Sequence, residues 1–193
     1  MSDDQSFPFQ SDIYPLLWKK GAYTEKHIYS KKDIAELIEF ARVRGISKNI
    51  FSSSKYLIIL ILKGIRIIPE FDTPGHTGSW GRGYPELITP CWVNGESYQA
   101  IYNKHWKMEI LNPIINFTYE FIENLLNEVK TVFPDEPFVH LGMDEVYYAC
   151  WESNPNITEW MKKNNFNLTK DVEQYFMERT LGIANKVFIR VKK

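Results

Sequence analysis

Two stretches of this chain each put acids and a histidine at the end of an apolar run. In the first, Ile65-Arg66-Ile67-Ile68-Pro69-Glu70-Phe71 leads into Asp72-Thr73-Pro74-Gly75-His76. In the second, Phe138-Val139-His140-Leu141-Gly142 leads into Met143-Asp144-Glu145. Carboxylates packed closely repel, so one of them should hold its proton at a raised pKa. A protonated carboxyl beside an ionised one is suited to general-acid chemistry. Neighbouring side chains on a strand point to opposite faces, so Asp144 and Glu145 converge on one ligand only if the strand gives way to a loop there. Alone, an Asp-Glu pair is as readily a solvated surface pair. His140, inside an apolar run, reads as packed core; His76, after Pro-Gly at a strand end, reads as functional. The same groups suggest a divalent metal less well, because no His-x-x-x-His or similar chelating spacing occurs. No metal or cofactor is expected.

These stretches need elements that bring their ends together. Up to residue 29 the chain reads as loop, with Pro8, Pro15 and Gly21. Ser30, with Asp33 three residues on, is a helix N-cap, and Ile34, Leu37, Ile38, Ala41 and Val43 follow at helical spacing before Gly45. Gly75, Gly78, Gly81 and Gly83 suggest a permissive loop, and residues 89–112 look irregular. Phe117, Phe121, Ile122, Leu125, Leu126 and Val129 predict a second amphipathic helix over 116–133. Pro134-Asp135-Glu136-Pro137 is a turn before the 138–142 strand. Residues 150–155 read as loop, 158–163 as a short helix, and a longer helix opens at Thr169 or Asp171; a further strand begins at Val187. Alternating helices and strands argue for an α/β fold with a parallel sheet, about half a barrel. In such a barrel both acid-and-histidine sets lie at one rim, the C-terminal ends of the strands.

The bulk properties narrow the class. The chain has 193 residues, enough for one core but short of the roughly 250 of a complete eight-fold barrel. A net charge of −1 argues against a nucleic-acid or anionic-membrane binder. Aromatics reach 15%, with six Trp and eleven Tyr; that suits a sugar cleft, although any single ring is more readily core. The apolar run 56–62 is shorter than the about 20 residues of a membrane span, so no span is expected. It reads as a buried strand, or as an aggregation-prone segment if exposed. Asn116-Phe117-Thr118, Asn156-Ile157-Thr158 and Asn167-Leu168-Thr169 match the N-glycosylation pattern. With two cysteines, Cys91 and Cys150, they favour a secretory-pathway protein. The N-terminus carries no signal peptide, which leaves a cytosolic protein or a true N-terminus further upstream.

Glu70-Phe71-Asp72-Thr73-Pro74-Gly75-His76, His140-Leu141-Gly142-Met143-Asp144-Glu145-Val146 and Cys150-Trp151-Glu152-Ser153-Asn154-Pro155 together resemble the catalytic domain of animal β-N-acetylhexosaminidases, glycoside hydrolase family 20. Asp3-Asp4-Gln5-Ser6-Phe7-Pro8 resembles the family's segment after its second barrel strand. The resemblance implies a partial (β/α)8 TIM barrel over residues 1–193, about its strands 2–5, truncated at both ends. Glu145 matches the family's proton donor, and Asp144 the residue that orients the substrate's 2-acetamido group. His76 and Asp72 match residues that hydrogen-bond near the acid and tune it. Asp3, or the adjacent Asp4, matches an acid on the preceding strand end that supports Asp144, and Asp3 and Trp151 are expected at the substrate. Cys91 and Cys150 match a family disulfide tying two rim loops. The acetamido carbonyl itself is the nucleophile, giving an oxazolinium intermediate.

The sequence departs from the family pattern in places. Met143 stands where many relatives have a second glycine. Val43-Arg44-Gly45 would run directly into Ile65-Arg66-Ile67, so residues 46–64 read as an insertion, a translated unspliced intron. The resemblance implies hydrolysis of terminal N-acetylhexosamine from glycans, glycolipids or chitin oligomers, with no cofactor, a lysosomal or secreted location, and a parent enzyme that pairs as a homodimer. The competing reading is an inactive truncated fragment with weak sugar binding.

Overall fold

In a computed structural model, the described residues are 2–44, 65–97 and 110–188. In chain order the elements are α1 (Pro15–Gly21), α2 (Lys31–Arg44), β1 (Glu70–Thr73), α3 (Gly78–Gly83), a 3-10 turn at Pro85–Leu87, β2 (Trp92–Val93), β3 (Glu96–Ser97), α4 (Asn116–Val132), β4 (His140–Gly142), α5 (Tyr148–Ser153), α6 (Pro155–Lys163) and α7 (Thr169–Val187). β1 and β4 pair in parallel, Glu70 opposite His140 and Thr73 opposite Gly142, with a register irregularity between. β2 and β3 form a small antiparallel hairpin. The architecture is thus a partial α/β one, and among the described residues no sheet closes into a barrel. The insertion at 46–64 and its apolar run 56–62 lie outside the described residues, as do residues 189–193.

The core is aromatic. Phe7, Phe9, Phe71, Trp80 and Phe121 are at most 1% exposed. Phe7 meets Trp80 edge-on at 5.4 Å and Phe9 meets Phe71 edge-on at 5.6 Å, geometries that suit the ring quadrupoles. Each fully buried ring contributes about 1.5–3 kcal/mol, so these contacts fix the N-terminal segment against β1. α4 buries Phe121, Ile122, Leu125, Leu126 and Val129, and α7 buries Val172, Phe176, Ile183 and Ala184. Both spacings are helical and the two helices pack on each other. A buried acid, Glu128 on α4, accepts from the Ser11 hydroxyl and from the Asp12 N–H, and so satisfies its charge while tying the N-terminal segment to the helix layer.

Several local expectations hold. Ser30 and Asp33 cap α2 reciprocally: the Ser30 N–H donates to Asp33 Oδ2 at 2.8 Å and the Asp33 N–H to Ser30 Oγ at 3.1 Å. Others need correction. Residues 15–21 are helical, because Pro15 sits in the first turn. The glycines at 78–83 form α3 rather than a loop. Their role is close approach, since a Cβ on Gly83 would lie 2.5 Å from the Leu16 carbonyl oxygen in the first turn of α1. Residues 150–153 belong to α5, and Val187 ends α7 instead of opening a strand. α2 buries only Ile34 and Ala41, while Leu37 and Val43 are exposed. The two apolar runs make strands of four and three residues, and His140 is exposed beside Glu70 at 3.3 Å rather than packed.

A second apolar cluster of Ile110, Cys150, Trp151, Ile157 and Val172 sits under the rim loops. Asn154, 1% exposed, joins its parts: Oδ1 accepts from Asn156 N and Ile157 N, capping α6, and Nδ2 donates to the Pro90 carbonyl at 2.9 Å. Asn154→Ala loses both the cap and the cross-loop bond and is expected to lower unfolding free energy by about 2 kcal/mol. Asn154→Asp keeps the cap acceptor and should recover about half of that. Urea unfolding checks this; a change within about 0.5 kcal/mol for Asn154→Ala would mean the tie carries no weight.

Candidate active site

Parallel pairing puts the C-terminal ends of β1 and β4 side by side, Thr73 opposite Gly142. Beyond β4 the backbone leaves the extended region: Gly142, Met143 and Glu145 have φ of 64°, 74° and 54°. That break in alternation is what exposes both Asp144 and Glu145 to one cleft. A Cβ on Gly142 would run into the Asp72 carboxylate, so glycine is needed there. Asp72 Oδ1 accepts from Met143 N at 3.2 Å, pinning the turn to β1. Met143 holds a left-handed conformation that costs about 1–2 kcal/mol without glycine, consistent with a strained segment at a functional site.

Beyond β1, His76 is also left-handed, with φ 53°. Its Nε2 lies 3.0 Å from Glu145 Oε2, and its Nδ1 lies 3.1 Å from Asp3 Oδ1 and 3.5 Å from Asp4 Oδ2. Asp4 is held by the Gly78 N–H at 2.9 Å, and the Asp3 carbonyl by the Ser79 hydroxyl. The imidazole therefore bridges the N-terminal segment and the β4 loop. With carboxylates on both nitrogens it is best satisfied as an imidazolium, a donor from each side. Burial pulls its pKa down, but the bonds to Glu145 and Asp3 and the charges of Asp4 and Asp72 outweigh that and raise it. Desolvation also raises the Asp72 and Asp4 carboxyls, against the opposing effects of their backbone hydrogen bonds and of His76.

Asp3, Asp72, His76, Asp144 and Glu145 all line one open cleft of about 850 Å³. Asp3 pairs with His76 rather than supporting Asp144. Trp151 does not line the cleft: it is 0% exposed and its indole N–H donates to the Leu111 carbonyl at 3.1 Å, so it is a core residue. Cys91 and Cys150 are joined as a disulfide with Cα atoms 4.6 Å apart. Beside it, the Trp92 N–H donates to Ser153 Oγ at 2.8 Å, a second tie between the hairpin and α5. Asn116, Asn156 and Asn167 are all exposed. The cleft wall from Tyr23 to Tyr29, including Lys26 and His27, went unnoticed in the sequence, where only the density of Tyr, Lys and His over seven positions hinted at it. Ligand atoms of Asp3, Asp4 and His76 lie within 4.8 Å of one another, a geometry that could hold a metal ion. No chelating spacing marks this grouping in the sequence, because Asp3 and His76 are 73 residues apart.

The family model for the glycosyl hydrolase family 20 catalytic domain matches residues 1–49 and 61–191. The chain belongs to this family. Among curated relatives, β-hexosaminidase subunit beta from Felis catus is 42% identical over 96% of this chain, and the human subunit beta is 41% identical over 94%. The subunit alpha from Rattus norvegicus is 40% identical over 95%. The chain spans about 30% of the length of these relatives. Among solved structures, an inactive mutant of the GH20 exo-β-N-acetylglucosaminidase from Vibrio harveyi superposes with a TM-score of 0.71 at 24% identity, over 98% of this chain and 28% of that one. A β-N-acetylhexosaminidase from Bacteroides fragilis gives 0.67 at 21%, over 96% and 32%. These place the fold among the family's catalytic domains.

The raised pKa of His76 fixes the sign of a pH dependence. The stabilisation it brings is fully present below the unfolded imidazole value of about 6.5 and is lost as pH rises through its higher folded value. Melting temperature is expected to fall from mildly acidic to mildly alkaline pH, and His76→Asn to flatten that slope. Equal slopes in thermal melts of the two proteins would contradict it.

Proposed function

We propose that this chain is the acid-bearing part of a β-N-acetylhexosaminidase, cleaving terminal N-acetylhexosamine from glycans, glycolipids or chitin oligomers with retention. The observation that carries the reading is the left-handed loop after β4, which turns Asp144 and Glu145 into one cleft with His76 against Glu145. In this reading Glu145 gives its proton to the glycosidic oxygen as the bond to the anomeric carbon breaks. The substrate's acetamido carbonyl oxygen attacks that carbon, and Asp144 accepts from the acetamido N–H and offsets the positive charge of the oxazolinium. Water, deprotonated by the Glu145 carboxylate, then opens the ring and restores the acid. His76 is a positioning residue: held by Asp3, it fixes the Glu145 carboxylate and stabilises it once the proton has left. Asp72 positions the loop through the Met143 N–H.

The disulfide and the exposed asparagines at 116, 156 and 167 support a lysosomal or secreted location with N-linked glycans. Among the described residues no helix is long and apolar enough to cross a membrane. Neither a nucleic-acid partner nor a cofactor is part of the reading, and the parent enzyme is taken as a homodimer. Residues 46–64 are an insertion between α2 and β1, a reading supported by the family match passing over 50–60. Transcripts that always join this insert to its neighbours would count against the intron origin.

A second reading, sugar binding without turnover, draws on the openness of the site: the Glu145 side chain is 72% exposed, whereas electrostatic catalysis works best where water is excluded. Hydrolysis of a fluorogenic N-acetylglucosaminide at mildly acidic pH separates the two. Turnover is expected, reduced about 10²–10⁴-fold by Glu145→Gln and about 10²–10³-fold by Asp144→Asn. Turnover untouched by Glu145→Gln would sink the assignment, and saturable sugar binding without turnover would leave the second reading standing.

A further inference from the structure

Two consecutive amides of the turn after β4 are held by side chains. The Met143 N–H donates to Asp72 Oδ1. The Gly142 N–H donates to Nδ1 of His140, two residues back, at 3.3 Å. Gly142 has φ 64°, so this bond sits where the chain leaves β4 for Asp144 and Glu145. The His140 N–H itself donates to the Pro69 carbonyl at 2.9 Å, which fixes the backbone that carries the ring against the start of β1.

The same ring nitrogen has a second neighbour. Glu70 lies opposite His140 across the sheet, and its Oε1 is 3.3 Å from His140 Nδ1. Glu70 and Asp72 are the charged side chains that β1 turns to this face, with Phe71 and Leu141 buried on the other. Beyond the turn, Asp144 and Glu145 line the same cleft as Glu70. Nδ1 cannot serve both of its neighbours at once. With a lone pair it accepts from the Gly142 N–H, which requires the neutral ring with its proton on Nε2, and it then faces the Glu70 carboxylate as one acceptor faces another. With a proton it donates to Glu70, and the Gly142 N–H loses its acceptor. The His140 and Glu70 side chains are 63% and 51% exposed, so solvent can deliver and remove that proton.

Resting on the hexosaminidase reading, we propose that His140 is a positioning residue for Asp144 and Glu145. Neutral, its Nδ1 holds the Gly142 N–H and keeps the acid-bearing turn set. Protonated, it turns to Glu70 and the turn loosens. The ring touches neither substrate nor reacting atoms; it acts through the backbone of residue 142, as Asp72 acts through that of residue 143. The turn thus has one tie from a carboxylate and one that yields when the imidazole takes up a proton, and the two acids are best placed while His140 is neutral.

The test follows the full chain across pH by NMR, reading the ring nitrogens of His140 together with the backbone amides of Gly142 and Met143. Before the ring titrates, Nδ1 is expected bare and Nε2 protonated. As acid is added, the Gly142 amide should shift with the same midpoint as the ring, and its protection against solvent exchange should fall about fivefold, the scale of one net hydrogen bond. In His140→Asn the side-chain oxygen accepts in place of Nδ1 but does not titrate, so the protection should persist and the shift should vanish. His140→Ala should lose the protection at every pH. A proton on Nδ1 throughout, a Gly142 amide that ignores the ring, or a response that survives in His140→Asn overturns the proposal. In hydrolysis of the fluorogenic substrate, His140→Ala is expected to lower kcat about fivefold with KM moving less, and His140→Asn to restore most of it; equal kcat in the unaltered chain and His140→Ala overturns the positioning role. Absent turnover by the unaltered chain is instead a failure of the hexosaminidase reading, and the amide and ring titrations still decide whether His140 holds the turn.

Discussion

One imidazole holds this site together. His76 reaches Glu145 with one nitrogen and Asp3 with the other, and so joins the loop after β1, the loop after β4 and the N-terminal segment. Remove it and the three acids around it lose their shared counter-charge and repel one another. Much of the surrounding structure can be understood as support for that bridge. The left-handed backbone at His76 and Glu145 aims the groups, and the Asp72 bond to Met143 N keeps the β4 turn in register with β1. The bond from Gly78 N to Asp4 seats the N-terminal segment on α3.

The aromatic core makes the geometry rigid at longer range. Phe7 and Phe9 lie four and six positions after Asp3, and both pack against Phe71, the residue before Asp72. Burying rings so close to the acids converts side-chain packing into site precision, the arrangement that general-acid chemistry requires. On the outer side, the Cys91–Cys150 disulfide, Asn154 and Trp151 clamp the hairpin loop to α5 and α6. They stabilise the rim without touching the cleft.

Much of this was legible in the sequence, for a physical reason. Asp144-Glu145 at the end of an apolar run, and Asp72 and His76 at the end of another, mark strand ends, and parallel strands place their ends at one rim. The capping pair Ser30 and Asp33 and the stripe of α4 are local signals and were equally readable. What failed depended on contacts distant in sequence. The glycines of α3 looked like flexibility, but Gly83 is needed where α3 meets Leu16. Trp151 looked like a sugar platform, but the Leu111 carbonyl takes its N–H inside a core. The pairing of Asp3 with His76 and the wall at 23–29 exist only once the chain is folded.

The central claim is that His76 is charged and shared between Asp3 and Glu145. The most direct measurement is the titration of its ring by nitrogen-detected NMR in the unaltered chain, in Asp3→Asn and in Glu145→Gln. The account requires His76 to titrate above the free imidazole value and each variant to bring it down. A ring that titrates at or below that value, indifferent to both substitutions, would mean that the bridge does not form.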